Sequence, residues 1–283
     1  MDLRHLLATA TLAFAATTAL AQPLHYTKAV QLVDEITAAQ DAGVFNDEIG
    51  RPLNRYGGNW TSAEQSYIRF ADLAHGHWPG NLTKCSPLVS RLLQQCYGWN
   101  WKNYSFLDPL TLTTQAVASP TPYQYIALLK QGRGFAARLT RLDQWQAGDL
   151  LFWWKPGSDQ NDHAMIISAV NWASAKNYPT NLAASDPTLA NATYYEVEII
   201  DSTENIHTAD SRLVNVNGTP TFLAGVGTAT IGVLVDRTTL EIVATTWSLP
   251  TSNYQTQPNG WLQGLTSRLK RVPQWEIAVG RMP

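Results

Sequence analysis

Six short segments dominate the second half of the chain: 149–154, 164–170, 194–200, 228–235, 240–246 and 275–279. They are rich in Ile, Val, Tyr and Trp and are separated by polar stretches, as strands of a packed sheet are. The first half has a different period. Ala29, Val30, Leu32, Val33, Ile36 and Ala39 follow helical spacing. Tyr67, Phe70 and Leu73 predict a second helix over 63–74. Cys85, Val89, Leu92 and Cys96 share the face of a third, and a fourth covers 123–130 before Gly132 and Gly134. Helices followed by strands predict an α+β fold, with N-terminal helices packed on an antiparallel sheet. No linker divides residues 22–283, so one domain is expected, helical over 22–135 and sheet-forming over 136–283. The polar stretches 171–192, 203–225 and 248–264 are expected as long loop insertions, which often rim a functional site.

The first 21 residues read as a leader rather than as part of this domain. Arg4 supplies a positive start, Leu6 to Leu20 carries no charge, and Ala19-Leu20-Ala21 matches a small-x-small cleavage pattern. The apolar run is about 15 residues, short of the roughly 20 that span a bilayer. Cleavage after Ala21 predicts an exported protein, periplasmic or secreted; an uncleaved anchor is the alternative. No later segment is apolar over 18 residues, so stable membrane insertion is not expected. With 20 Lys+Arg against 22 Asp+Glu the net charge is −2, which leaves no basic excess for a nucleic-acid partner.

Cysteine, histidine and aspartate carry the candidate chemistry, in that order. Pro87 fits only the first turn of a helix, so Cys85 stands at or just before a helix start. Unpaired N–H groups and the helix dipole there favour a thiolate, and Lys84 adds positive charge. The other reading of Cys85 is a small buried apolar side chain. Cys96 lies about 16 Å further along the same helix, too far for a disulfide, which needs Cα atoms within about 7 Å. His163 opens an apolar strand and can face the Cys85 helix, or it is a solvent-facing strand edge. Asp201 ends the next apolar strand. It either orients the imidazole or closes a turn, with Glu204, Asn205 and His207 as nearby alternatives.

Cys85-Ser86-x-x-Val89 opening a helix, then Gly148-Asp149-Leu150-Leu151-Phe152-Trp153, then His163 opening a strand, resembles the NlpC/P60 family of papain-like cysteine peptidases and amidases of bacterial cell walls. The resemblance covers about residues 55–205. It implies a papain-like fold, Cys85 as nucleophile, His163 as base and Asp201 as the orienting residue. Arg55-Tyr56-Gly57-Gly58 resembles the family's tyrosine element. Tyr56, with Trp153 and Ser86, is therefore expected to bind substrate. The implied substrate is a peptide amide, such as a peptidoglycan stem peptide, with neither metal nor other cofactor.

A different class is a cell-wall or glycan binder without catalysis. Trp60, Trp78, Trp99, Trp101, Trp153, Trp154 and Trp261 would then line a groove, although tryptophans also serve as packing. Metal hydrolysis has little to rest on, because His75-Gly76-His77 beside Asp72 is the one close histidine pair and no zinc-binding motif is present.

Overall fold

Strand pairing is what builds this molecule, and the helices cover one face of the result. The computed structural model describes residues 21–58, 65–157, 162–177, 187–216, 218–247, 249 and 269–283. Residues 1–20 of the leader and most of the 248–264 stretch fall outside the described residues. Helix α1 (Leu24–Asp41) buries Ala29, Leu32, Val33, Ile36 and Ala39, the stripe its spacing predicts. Strands β1 (Asn54–Tyr56), β2 (Tyr67–Arg69) and β3 (Gly80–Thr83) follow and form a small sheet in the order β1-β3-β2. Helix α2 (Cys85–Tyr97) begins directly after β3 and stops at Gly98, whose positive φ of 63° ends the helix in the left-handed region. The short pair β4 (Phe106–Leu107) and β5 (Thr114–Gln115) precedes α3 (Pro122–Lys130). At the start of α3, the Gln124 side chain accepts the Thr121 N–H at 3.0 Å, and Pro122 occupies the first turn.

The remaining strands are β6 (Ala137–Leu139), β7 (Leu150–Trp154), β8 (His163–Asn177), β9 (Ala192–Thr203), β10 (Leu213–Val216), β11 (Thr219–Phe222), β12 (Gly225–Asp236), β13 (Ile242–Thr246), β14 (Lys270–Arg271) and β15 (Glu276–Arg281). Eight of them form one antiparallel sheet in the order β14-β13-β12-β9-β8-β7-β15-β6. The sheet curls until its two ends approach. Arg141, beyond β6, bridges to Glu241, before β13, and the Leu142 N–H donates to the Leu240 carbonyl at 3.0 Å.

The period of two then sorts the side chains. Leu151, Trp153, Met165, Ile167, Val197, Ile199, Ile231 and Val233 fill the concave interior. Leu150, Phe152, Trp154, Ala164, Ile166 and Ile200 face outward and pack under the helices with Leu88, Leu92, Tyr125 and Leu128. The α+β class and the antiparallel sheet are as expected. All six predicted strands form, although several are longer at the ends.

Two expectations are corrected. Residues 65–74 of the expected second helix contain β2 and a single turn of 3-10 helix at Leu73–His75; residues 63 and 64 lie outside the described residues. The backbone of β2 pairs with β3, which buries Ile68, so sheet hydrogen bonding overrides the helical spacing of Tyr67, Phe70 and Leu73. The helical half therefore also contains a sheet. The 203–225 stretch is likewise no plain loop, because it holds the hairpin β10–β11.

Asn54 joins the two sheets. Its Nδ2 donates to the Val226 carbonyl at 2.7 Å and its Oδ1 accepts the Val226 N–H at 2.8 Å. Asn54→Ala leaves both backbone groups without that partner and is expected to cost about 1–3 kcal/mol, read from the urea midpoint at pH 7. An unchanged midpoint would show that the Asn54 hydrogen bonds do not hold the two sheets together.

Candidate functional site

β3 delivers Cys85 to the large sheet. Its last residue, Thr83, accepts a hydrogen bond from the Ser202 hydroxyl through its carbonyl at 2.6 Å, so the start of α2 is tied to β9 beside Asp201. The backbone N–H groups of Ser86 and of Ala164, the residue after His163, lie where they favour a thiolate at the Cys85 sulfur. Cys85 is 6% exposed, and its sulfur is not part of a disulfide. Cys96 is also unpaired and half-buried.

His163 and Asp201 meet as expected. They lie on adjacent antiparallel strands, β8 and β9, and His163 Nε2 is 2.6 Å from Asp201 Oδ2. Strand alternation decides which way they point. Ala164 turns toward α2, whereas His163 faces the concave side with its cross-strand partner Trp153. Cys85 meets β8 at the backbone N–H of Ala164, the residue after His163, and among the described residues no hydrogen bond joins the Cys85 and His163 side chains.

Asp201 is wholly buried and has three partners. His163 Nε2 and His207 Nε2 reach Oδ2 at 2.6 and 3.0 Å, and the Arg212 guanidinium reaches Oδ1 at 2.9 Å. Arg212 also grips Asp210 through two nitrogens at 2.6 and 2.9 Å. His207 Nδ1 meets the Trp247 carbonyl at 2.6 Å, and the two rings stack with centroids 3.9 Å apart. Both nitrogens of His207 therefore face acceptors. Gly227 makes room for Arg212, because a Cβ there would stand 2.8 Å from Arg212 Cγ.

Burial alone would raise the Asp201 carboxyl, but Arg212, His207 and the hydrogen bonds from both histidines hold it well below the carboxylate range. Burial lowers His163 despite the opposing pull of Asp201. An ionised Asp201 can only accept, so the neutral His163 ring carries its hydrogen on Nε2 and leaves Nδ1 with a lone pair. The thiol runs against expectation. Burial pushes Cys85 up to about 12, Asp162 adds to this, and the N–H groups of Ala164 and Ser86 oppose it without cancelling it. The helix start does favour a thiolate, but desolvation is the larger effect.

A cleft of about 360 Å³ opens beside His163. Tyr56, Trp153, Asp162 and His163 form one part of its wall, and Thr203, Glu204, Asn205, Trp247 and Lys270 form the rest. Tyr56 thus lies where expected. Burial raises its phenol, and the nearby Cys85 adds to the effect. Trp153 lines the cleft although it is 1% exposed. Ser86 is buried outside the lining, and its backbone N–H faces the Cys85 sulfur. Arg212, Asp210 and Lys270 were not singled out from the sequence, because scattered charges in polar stretches carry no periodic signal; His207 was an alternative to Asp201 and turns out to be its partner.

The other candidates separate. Trp101 and Trp154 are core residues, and Trp78 and Trp99 are half-buried; Trp60 and Trp261 lie outside the described residues. His75 pairs with Asp72 and His77 with Glu48 on the exposed surface. One ligand-type atom each from His163, Asp201 and His207 lies within 4.8 Å of the others, a spacing a cation could use. The charge around them argues for a proton network instead, because Arg212 already holds Asp201 Oδ1 and Lys270 lines the same cleft. Among the described residues no helix is long and apolar enough to cross a membrane. Comparison with protein-family models, curated proteins and solved structures finds no match to this chain.

Two measurements follow. Iodoacetamide labelling of Cys85 should be slow at pH 7 and accelerate only well above pH 8.5; fast labelling at neutral pH would mean that a thiolate already exists at rest. Asp201→Asn should cost about 3–5 kcal/mol at pH 7, because it leaves buried cations unpaired. The depressed Asp201 contributes stability that is whole above its ordinary value of 3.8 and is lost as pH falls toward its folded value. The urea-derived gap between wild type and variant should therefore shrink between pH 5 and pH 3. A constant gap would show that the charge does not stabilise the fold.

Proposed function

We propose that the protein is an exported cysteine hydrolase of amide bonds, with a papain-like arrangement and peptidoglycan stem peptides as substrate class. One observation carries the reading. The sulfur of Cys85, at a helix start, rests on the backbone N–H that follows His163, while Asp201 holds Nε2 of that histidine and leaves Nδ1 available beside a cleft. The resemblance of the Cys85, Gly148–Trp153 and His163 segments to the NlpC/P60 family supplies the substrate class.

The chemistry follows from a neutral resting pair rather than an ion pair. As the sulfur attacks the carbonyl carbon, His163 Nδ1 takes the thiol proton. The resulting imidazolium is stabilised by Asp201, whose ionised state does not change. The backbone N–H of Cys85, first in the helix and without an intrahelical acceptor, is available to the oxyanion. His163 then gives its proton to the leaving nitrogen as the C–N bond breaks, and a thioester remains. Water attacks that thioester with His163 again as base, and the proton returns to the sulfur as the acid leaves.

The test is a muropeptide digest with the mature chain. New amine and carboxylate ends should appear with wild type and vanish with Cys85→Ala. The base form of His163 is whole above its usual 6.5 and is lost as pH falls through its lower folded value. kcat/KM should thus hold down to about pH 6.5 and decline below it. Undiminished cleavage by Cys85→Ala would overturn the assignment of the nucleophile, and no cleavage by folded wild type would overturn the substrate class.

A further inference from the structure

Lys270 has an unusual setting. It is the first residue of β14, paired with Thr245 on β13, and its ammonium points over three indole rings. The nitrogen lies 4.2 Å from the Trp153 ring centroid and 5.5 Å from those of Trp247 and Trp275. Cation–π contacts of this kind offset part of the cost of removing an ammonium from water. Among the described residues, no hydrogen bond or ion pair to Lys270 accompanies them. Burial alone brings the ammonium down to about 8. Glu204 and Asp162 line the same cleft. Its charge does reach His163, where it is one of the influences lowering the imidazole. A cation held on an aromatic floor and open to a cleft, with no counter-ion among the described residues, is suited to receive an anion.

We propose that Lys270 binds a substrate carboxylate one residue or less from the scissile amide, so that the cleft selects acidic peptide amides over their amidated counterparts. The choice of peptide amides rests on the hydrolase reading above; the anion site itself rests on the setting of Lys270. Lys270 is then a specificity-determining residue. It takes no proton in the reaction, and its charge places the acyl or leaving residue against His163.

Binding and turnover separate this proposal from the reading beneath it. Four probes are used: L-alanyl-γ-D-glutamyl-L-lysine and its three forms amidated at the glutamyl α-carboxylate, at the lysine carboxylate, or at both. Affinity is measured calorimetrically in the mature Cys85→Ala chain, which cannot turn the peptides over. Amidating one of the two positions should weaken binding about tenfold or more. Adding Lys270→Met, which keeps an apolar stem on the indoles, should abolish that discrimination, and Lys270→Arg should retain it. Near-UV circular dichroism checks that the Lys270→Met cage stays packed.

Equal affinity for all four probes, discrimination that survives Lys270→Met in a packed cage, or no binding of any probe would overturn the proposal. Release of free lysine-containing product by the chain with Cys85 intact reports on the hydrolase reading separately. Discrimination without turnover would leave the anion site standing and remove the hydrolase. Equal turnover of acidic and amidated probes would do the reverse.

Discussion

A buried carboxylate has to be compensated, and Asp201 draws most of the site together for that reason. Its two oxygens take hydrogen bonds from His163, His207 and Arg212. Arg212 in turn takes Asp210, and His207 takes the Trp247 carbonyl and stacks on its ring. These groups come from β8, β9, the 203–225 stretch and the end of β13. Removing any one cation leaves charge in a low-dielectric interior, which costs far more than a surface ion pair. The network therefore fixes the orientation of His163 and anchors a long polar stretch to the sheet by the same interaction.

The same low dielectric sets the character of the thiol. A helix start and two N–H groups favour the thiolate, but Cys85 is packed against β8 with Asp162 nearby, and the neutral form wins. His163 is also neutral, because burial outweighs the attraction of Asp201. Neither partner is charged at rest, so proton transfer accompanies attack instead of preceding it. Such a thiol is protected from adventitious oxidation, since the thiolate is the form that oxidants reach first. The cleft between Tyr56 and Lys270 then becomes the place where a substrate meets polar groups already in position.

Local pattern was enough for much of the fold. The six apolar segments, the stripes of α1 and α2, the Pro87 helix start and the turn glycines all report short-range physics, and the structure follows them. The order Cys85, His163, Asp201 was legible for the same reason: each sits at the end of an element whose period can be read. The helix expected over 63–74 failed because the pairing of β2 with β3 is a non-local bond that spacing cannot express.

What the chain alone determined, then, is which elements form and which reactive groups stand at their ends. What only the tertiary structure decided is the direction and charge of those groups. Strand alternation put His163 on the concave side and Ala164 against the helix. Curling of the sheet brought Lys270 from β14 over Trp153 of β7. Burial reversed the expected shift of Cys85, because the cost of desolvating a charge depends on everything packed around it and not on its neighbours in sequence.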